Sequence, residues 1–178
     1  MNTEKLIDDF VGKINENPIQ DLSNDEVTTY LITGGEDPSY VSKVLKKDCT
    51  AWIDALQAKL PNRLPPSYYS FVSRYAFPRL DIGPITFFAN TGEKIYYEWV
   101  ESVFRDRYLY PTLLANGLIE FGKYNYGYDP ICFDCKRGKR EHPIIRIDHE
   151  EVLIHERIKV IDEIAPSFID FIKKYLKT

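Results

Sequence analysis

Pro130-Ile131-Cys132-Phe133-Asp134-Cys135 runs into Lys136-Arg137-Gly138-Lys139-Arg140-Glu141, and His142 then leads to Pro143-Ile144-Ile145-Arg146-Ile147-Asp148-His149. The first run alternates apolar with polar residues, the second is charged around a glycine, and the third is β-branched. That order predicts a strand, a tight solvated turn and a returning strand. Leu118-Ile119-Glu120-Phe121-Gly122 is a further strand before the hairpin, and Glu151 to Ile154 a short one after it. Consecutive strands at this spacing can pair only antiparallel, because no crossover helix lies between them.

Helices bracket this region. Pro65-Pro66 opens one from Ser67 to Tyr75, with Tyr68, Phe71, Val72 and Tyr75 on its apolar side. Gly83 to Phe88 reads as a strand and Asn90-Thr91-Gly92 as a turn. Glu93 to Arg107 reads as a helix with Ile95, Trp99, Val103 and Phe104 as contacts, and Leu113 to Ala115 resume it after Pro111 interrupts. After Ala165-Pro166 the chain closes with Phe168, Phe171, Ile172 and Tyr175 at i, i+3, i+4, i+7, one helical face. The implied class is α+β: a largely antiparallel sheet flanked by helices.

Residues 1–60 have a different character. Leu6, Ile7, Phe10, Val11 and Ile14 share a helical face that ends at Asn17-Pro18. Ser23 and Glu26 have capping-box spacing before a short helix closed by Gly34-Gly35. Asp37-Pro38 then opens a longer helix carrying Val41, Val44, Leu45, Trp52, Leu56 and Leu60. The chain thus divides into an N-terminal helical extension, 1–60, packed on a main domain, 61–178.

The 178 residues carry 23 Lys and Arg against 27 Asp and Glu, a formal charge of −4. A nucleic-acid binder needs a clustered basic surface, so this balance excludes nucleic acid as the primary partner and suits a basic one. The N-terminus has no cationic stretch followed by an apolar core, and no run of about 18 apolar residues is present. Three cysteines, Cys49, Cys132 and Cys135, do not make a disulfide framework. The expected setting is the cytoplasm, away from membranes.

Five segments, in order, resemble one family. Leu64-Pro65-Pro66-Ser67-Tyr68-Tyr69-Ser70-Phe71 is similar to the opening helix of the SUKH (Smi/Knr-like) superfamily. Leu118 to Gly122 resembles its strand ending in glycine. Tyr128-Asp129-Pro130-Ile131-Cys132-Phe133-Asp134 and Pro143 to Glu150 resemble its two following strands, and Ile164 to Ile172 its closing helix. The departures are Ala76 to Asp81, where the family often has a short turn, and Tyr128, where it has glycine. The resemblance implies a SUKH fold and a binding module: in the bacterial branch, a cytoplasmic immunity protein that binds and neutralises a cognate toxin domain. A Smi/Knr-like adaptor or regulator of cell-wall or signalling processes is the alternative. The family has no established catalytic centre to carry over.

The residues themselves offer few catalytic sets. Cys132 and Cys135 form a C-x-x-C, but the expected strand sends them to opposite faces and no second ligand pair accompanies them. No metal or cofactor is therefore expected. Asp134-Cys135-Lys136 has the D-x-K form of a metal-dependent hydrolase, with Glu120 or Asp148 as a second carboxylate; this stays the outside alternative to a non-enzymatic protein. The basic run at 136–140 reads as a solvated turn. Tyr124-Asn125-Tyr126-Gly127-Tyr128-Asp129 is the most suggestive stretch. If extended, it puts Tyr124, Tyr126 and Tyr128 on one face, as protein-binding anchors with Asp129 and other carboxylates meeting the toxin's Lys and Arg. The competing reading is a hairpin that packs its rings against the first helix.

Overall fold

The computed structural model describes residues 2–16, 44–91, 98–104, 109–125 and 127–178. The described elements are α1 (Thr3–Glu16), β1 (Leu45–Lys46), α2 (Thr50–Gln57), α3 (Pro66–Arg74), β2 (Tyr75–Ala76), β3 (Leu80–Ile82) and β4 (Ile85–Phe87). They continue with α4 (Glu98–Phe104), α5 (Tyr110–Ala115), β5 (Leu118–Tyr124), β6 (Pro130–Asp134), β7 (Ile144–Ile147), α6 (His149–His155), β8 (Val160–Ala165) and α7 (Phe168–Lys177). Strands β3 to β8 form a six-stranded sheet in chain order, and every neighbouring pair is antiparallel. β1 and β2 make a separate two-stranded pair. The class is α+β with an antiparallel sheet, as the hairpin run implied.

Alternation along the strands builds two cores. Ile119, Phe121, Ile131, Phe133 and Ile144 belong to the larger one, with α1, α3 and α7. Leu118, Cys132, Ile145 and Ile147 point the other way, onto Leu109, Leu113 and Val152. Because both faces of β6 are covered, Pro130 to Phe133 are all buried. Tyr68 of α3 lies at the centre of the larger core, its ring 4.8 Å from that of Phe133 and 5.1 Å from those of Phe121 and Phe168. Phe10 of α1 meets Tyr175 edge-on at 5.4 Å and Phe71 at 5.8 Å.

Polar side chains hold the helices on this frame. Pro65 precedes α3 and offers no side-chain cap; Glu141, from the β6–β7 turn, accepts from the Ser67 amide (3.0 Å) and hydroxyl (2.6 Å) instead. At the other end, buried Asn90 donates to the carbonyls of Val72 and Tyr75. These long-range bonds replace local capping residues.

Several expectations need correction. The long helix carrying Val44 and Leu45 begins only at Thr50 among the described residues. Val44 exchanges two hydrogen bonds with the Asn15 side chain, Leu45 pairs with Ala76, and Asp48 accepts from the Thr50 amide. Tyr75 is extended rather than helical. Pro111 does not interrupt a helix; it sits in the first turn of α5, where its missing N–H is harmless. Glu151 to Ile154 are helical, not a strand, because Asp148 caps α6 by accepting from the Glu150 and Glu151 amides. The strand at 118–122 runs on to Tyr124: Gly122 sits beside a bulge where a Cβ would lie 2.5 Å from the Thr86 carbonyl oxygen. Strands β3 and β8 were not anticipated. The readings at Asn17-Pro18, Ser23/Glu26, Gly34-Gly35, Asp37-Pro38, Val41 and Ile95 lie outside the described residues.

Candidate functional site

The described residues of the tyrosine stretch turn rather than extend. The Tyr124 amide donates to the Asp129 carbonyl (3.1 Å) and the Gly127 amide to the Tyr124 carbonyl (2.7 Å), so β5 reverses into β6 within five residues. Asn125 takes a positive φ of 43°, a conformation that asparagine tolerates better than most residues. Tyr124 is half-buried at the end of β5, while Tyr128 is 78% exposed. Tyr126 lies outside the described residues. The alternate spacing therefore does not continue as one extended strand from Tyr124 to Tyr128.

Asp129 is the hub of this turn. Its carboxylate receives the Arg146 guanidinium through Nε and Nη2, and the amide and Nδ1 of His149 (3.3 and 2.7 Å). A carboxylate only accepts, so Nδ1 of His149 carries the proton in this bond. Burial pushes the Asp129 carboxyl up, but hydrogen bonds from His149 and Arg146 outweigh it and hold the group below its ordinary value. The Arg146 guanidinium also lies 3.7 Å from the centre of the Tyr124 ring, and the Tyr128 ring is 5.6 Å from the His149 imidazole. Asp129 is thus an internal brace rather than a free rim carboxylate. Nothing in the spacing of Arg146 and His149 marks them as its partners. Arg146 is on β7 and His149 opens α6, and the pairing of β6 with β7, Ile131 opposite Arg146, brings Arg146 to Asp129.

Among the described residues, Asp129, Asp148 and His149 place ligand atoms within 4.8 Å of one another. Cations of the chain already serve this group: Arg146 on Asp129, and Lys159 on Asp148 at 2.9 Å. Asp134 is not part of it; its carboxylate turns back onto the Lys136 amide. Glu120 is buried against Lys123. Neither Asp134 nor Glu120 belongs to a group of three metal-ligating side chains among the described residues. Cys132 lies in the smaller core and Cys135 packs against the larger one, on opposite sheet faces as the strand required. Burial raises both thiols, that of Cys135 to about 12 with help from the Asp134 charge, which opposes the thiolate that a metal ligand or nucleophile needs.

A second surface feature was not expected. Leu153 and Ile154 on α6, and Val160 and Ile161 on β8, are large apolar side chains left exposed. β8 is the last strand of the sheet, and its first four residues all face solvent. Adjacent Val and Ile followed by Asp162-Glu163 give no alternation, so the strand left no periodic trace in the sequence.

A model of the SMI1 / KNR4 family (SUKH-1) matches residues 50–174. Comparison with curated proteins and with solved structures returned no match. No helix among the described residues is long and apolar enough to cross a membrane.

Proposed function

The chain belongs to the SMI1 / KNR4 family (SUKH-1), and from that premise we propose that it is a non-enzymatic, cytoplasmic immunity protein that binds a cognate toxin domain and occludes its functional surface. The observation that carries the reading is the braced turn. Asp129, Arg146 and His149 fix its backbone, and it holds Tyr128 out in solvent. An exposed aromatic on a rigid support loses little entropy on binding, which is what an interface anchor requires. Tyr126 and Tyr128 are the proposed anchors; Tyr124 and Asp129 keep the turn in place. The basic groups nearest the turn are engaged with carboxylates, in keeping with a protein partner rather than nucleic acid. Residues 1–60 are proposed as the helical extension of a SUKH-like domain over 61–178, with α1 built into the shared core.

The test is co-expression with the C-terminal domain of the protein encoded immediately upstream. Cells making that domain should survive only with this chain, and Tyr128→Ala should weaken the complex on the order of 30-fold. Failure to protect, or cation-dependent cleavage by the purified chain that Asp134→Ala abolishes, would overturn the reading.

A further inference from the structure

We propose that the α6–β8 corner is the principal docking face of this protein and that its occupant is a basic protein surface with an apolar centre. The inference rests on the immunity reading and assigns it a contact surface that the tyrosine turn alone does not supply. Three observations converge. First, Ile154, 69% exposed, is joined on α6 by Leu153 and on β8 by Val160 and Ile161, the exposed large aliphatic side chains of the described residues. Large apolar side chains left exposed within one short segment of chain mark interaction sites more often than ordinary solvent-facing surface does. Second, the two elements are tied to each other: Lys159, beside Val160, reaches the α6 cap Asp148 and Glu151 on α6, and Val160 lies opposite Ile147, which packs with Val152 of α6.

Third, charge selects the occupant. Residues 148–163 hold six carboxylates, Asp148, Glu150, Glu151, Glu156, Asp162 and Glu163, against Arg157 and Lys159. This segment carries −4, as much as the whole chain, so the rest is balanced. Both cations are engaged internally, Arg157 on Glu151 and Lys159 on Asp148. Glu150, Glu156 and Asp162 are exposed with no ion-pair partner among the described residues. Exposed carboxylates in the same segment as exposed apolar side chains fit a partner surface that carries Lys and Arg around an apolar patch. A second copy of this chain would bring the same carboxylates face to face. The face also continues to the braced turn: His149 and Leu153 are one helical turn apart, and His149 touches the Tyr128 ring.

The experiment uses the full chain and the catalytically inactivated C-terminal domain of the upstream-encoded protein, with association followed at two salt concentrations and the fold of each variant checked by thermal melting. Ile154→Glu should raise the dissociation constant on the order of 30-fold, chiefly through faster dissociation. Glu150→Lys with Glu156→Lys should slow association about 10-fold at low salt, a difference that shrinks at high salt. Lys174→Glu, on α7, should leave binding unchanged. Wild-type affinity and kinetics in the α6–β8 variants would overturn this inference and leave the immunity reading standing. No binding by the wild-type chain would overturn both. A wild-type dimer in sedimentation that Ile154→Glu dissolves would assign the face to self-association and overturn the inference.

Discussion

Asp129 shows how one residue can be picked out for the right place and the wrong task. Sequence places it beside the tyrosines as an acidic rim group; its carboxylate is instead the acceptor for Arg146 and His149. Asp129→Asn keeps the shape and removes the charge, and should cost about 2 kcal/mol in urea unfolding at neutral pH. The pH dependence has a definite sign. The carboxyl is held below its ordinary 3.8, so the unfolded chain binds the proton more readily in that region. The stabilisation is complete above 3.8 and is lost as pH falls through the folded value. The wild type and Asp129→Asn should therefore converge in acid; a gap that stays constant on acidification would contradict this assignment.

At the scale of elements, β5 sets the register of the sheet, and Gly122 is where it does so. The side-chain position of Gly122 is filled by the Thr86 carbonyl of β4, a backbone atom that cannot swing aside. Gly122→Ala should cost on the order of 3 kcal/mol, as overpacking a sheet interior does. Gly12 on α1 faces open space, where a Cβ would meet nothing within 4 Å. Gly12→Ala should therefore be neutral or stabilising by up to about 1 kcal/mol. Matched urea titrations of the two variants separate a steric requirement from glycine's general entropy. Equal effects at the two sites would remove the steric explanation.

For the whole molecule, α1 is the decisive attachment. Leu6, Ile7, Phe10, Val11 and Ile14 are buried in the core that also holds α3 and α7. At about 2 kcal/mol per buried side chain their removal withdraws on the order of 10 kcal/mol, comparable with the stability of an ordinary domain. Polar ties reinforce the packing: Lys13 donates to the Tyr175 carbonyl, and Arg74 and Tyr75 both donate to Asp8. A chain beginning after Glu16 should lose its near-UV circular dichroism and its cooperative melt. Cooperative unfolding within a few degrees of the full chain would make α1 dispensable.

By itself the sequence determined the elements whose burial has a period. The i, i+3, i+4, i+7 faces of α1 and α7 and the apolar runs of β5, β6 and β7 were legible because each packs one regular face, or both, against a core. Motif order carried the family and the fold class for the same reason. What lacked a period depended on tertiary structure. α6 buries only Val152 and leaves Leu153 and Ile154 exposed, so its apolar residues trace no buried face, and β8 shows four consecutive residues to solvent. The brace at Asp129 and the cap that Glu141 gives α3 join residues 17 and 74 positions apart. Such bonds form only once strands β6 and β7 are in register and the hairpin turn rests on the helix, and no local pattern of residue types encodes that distance.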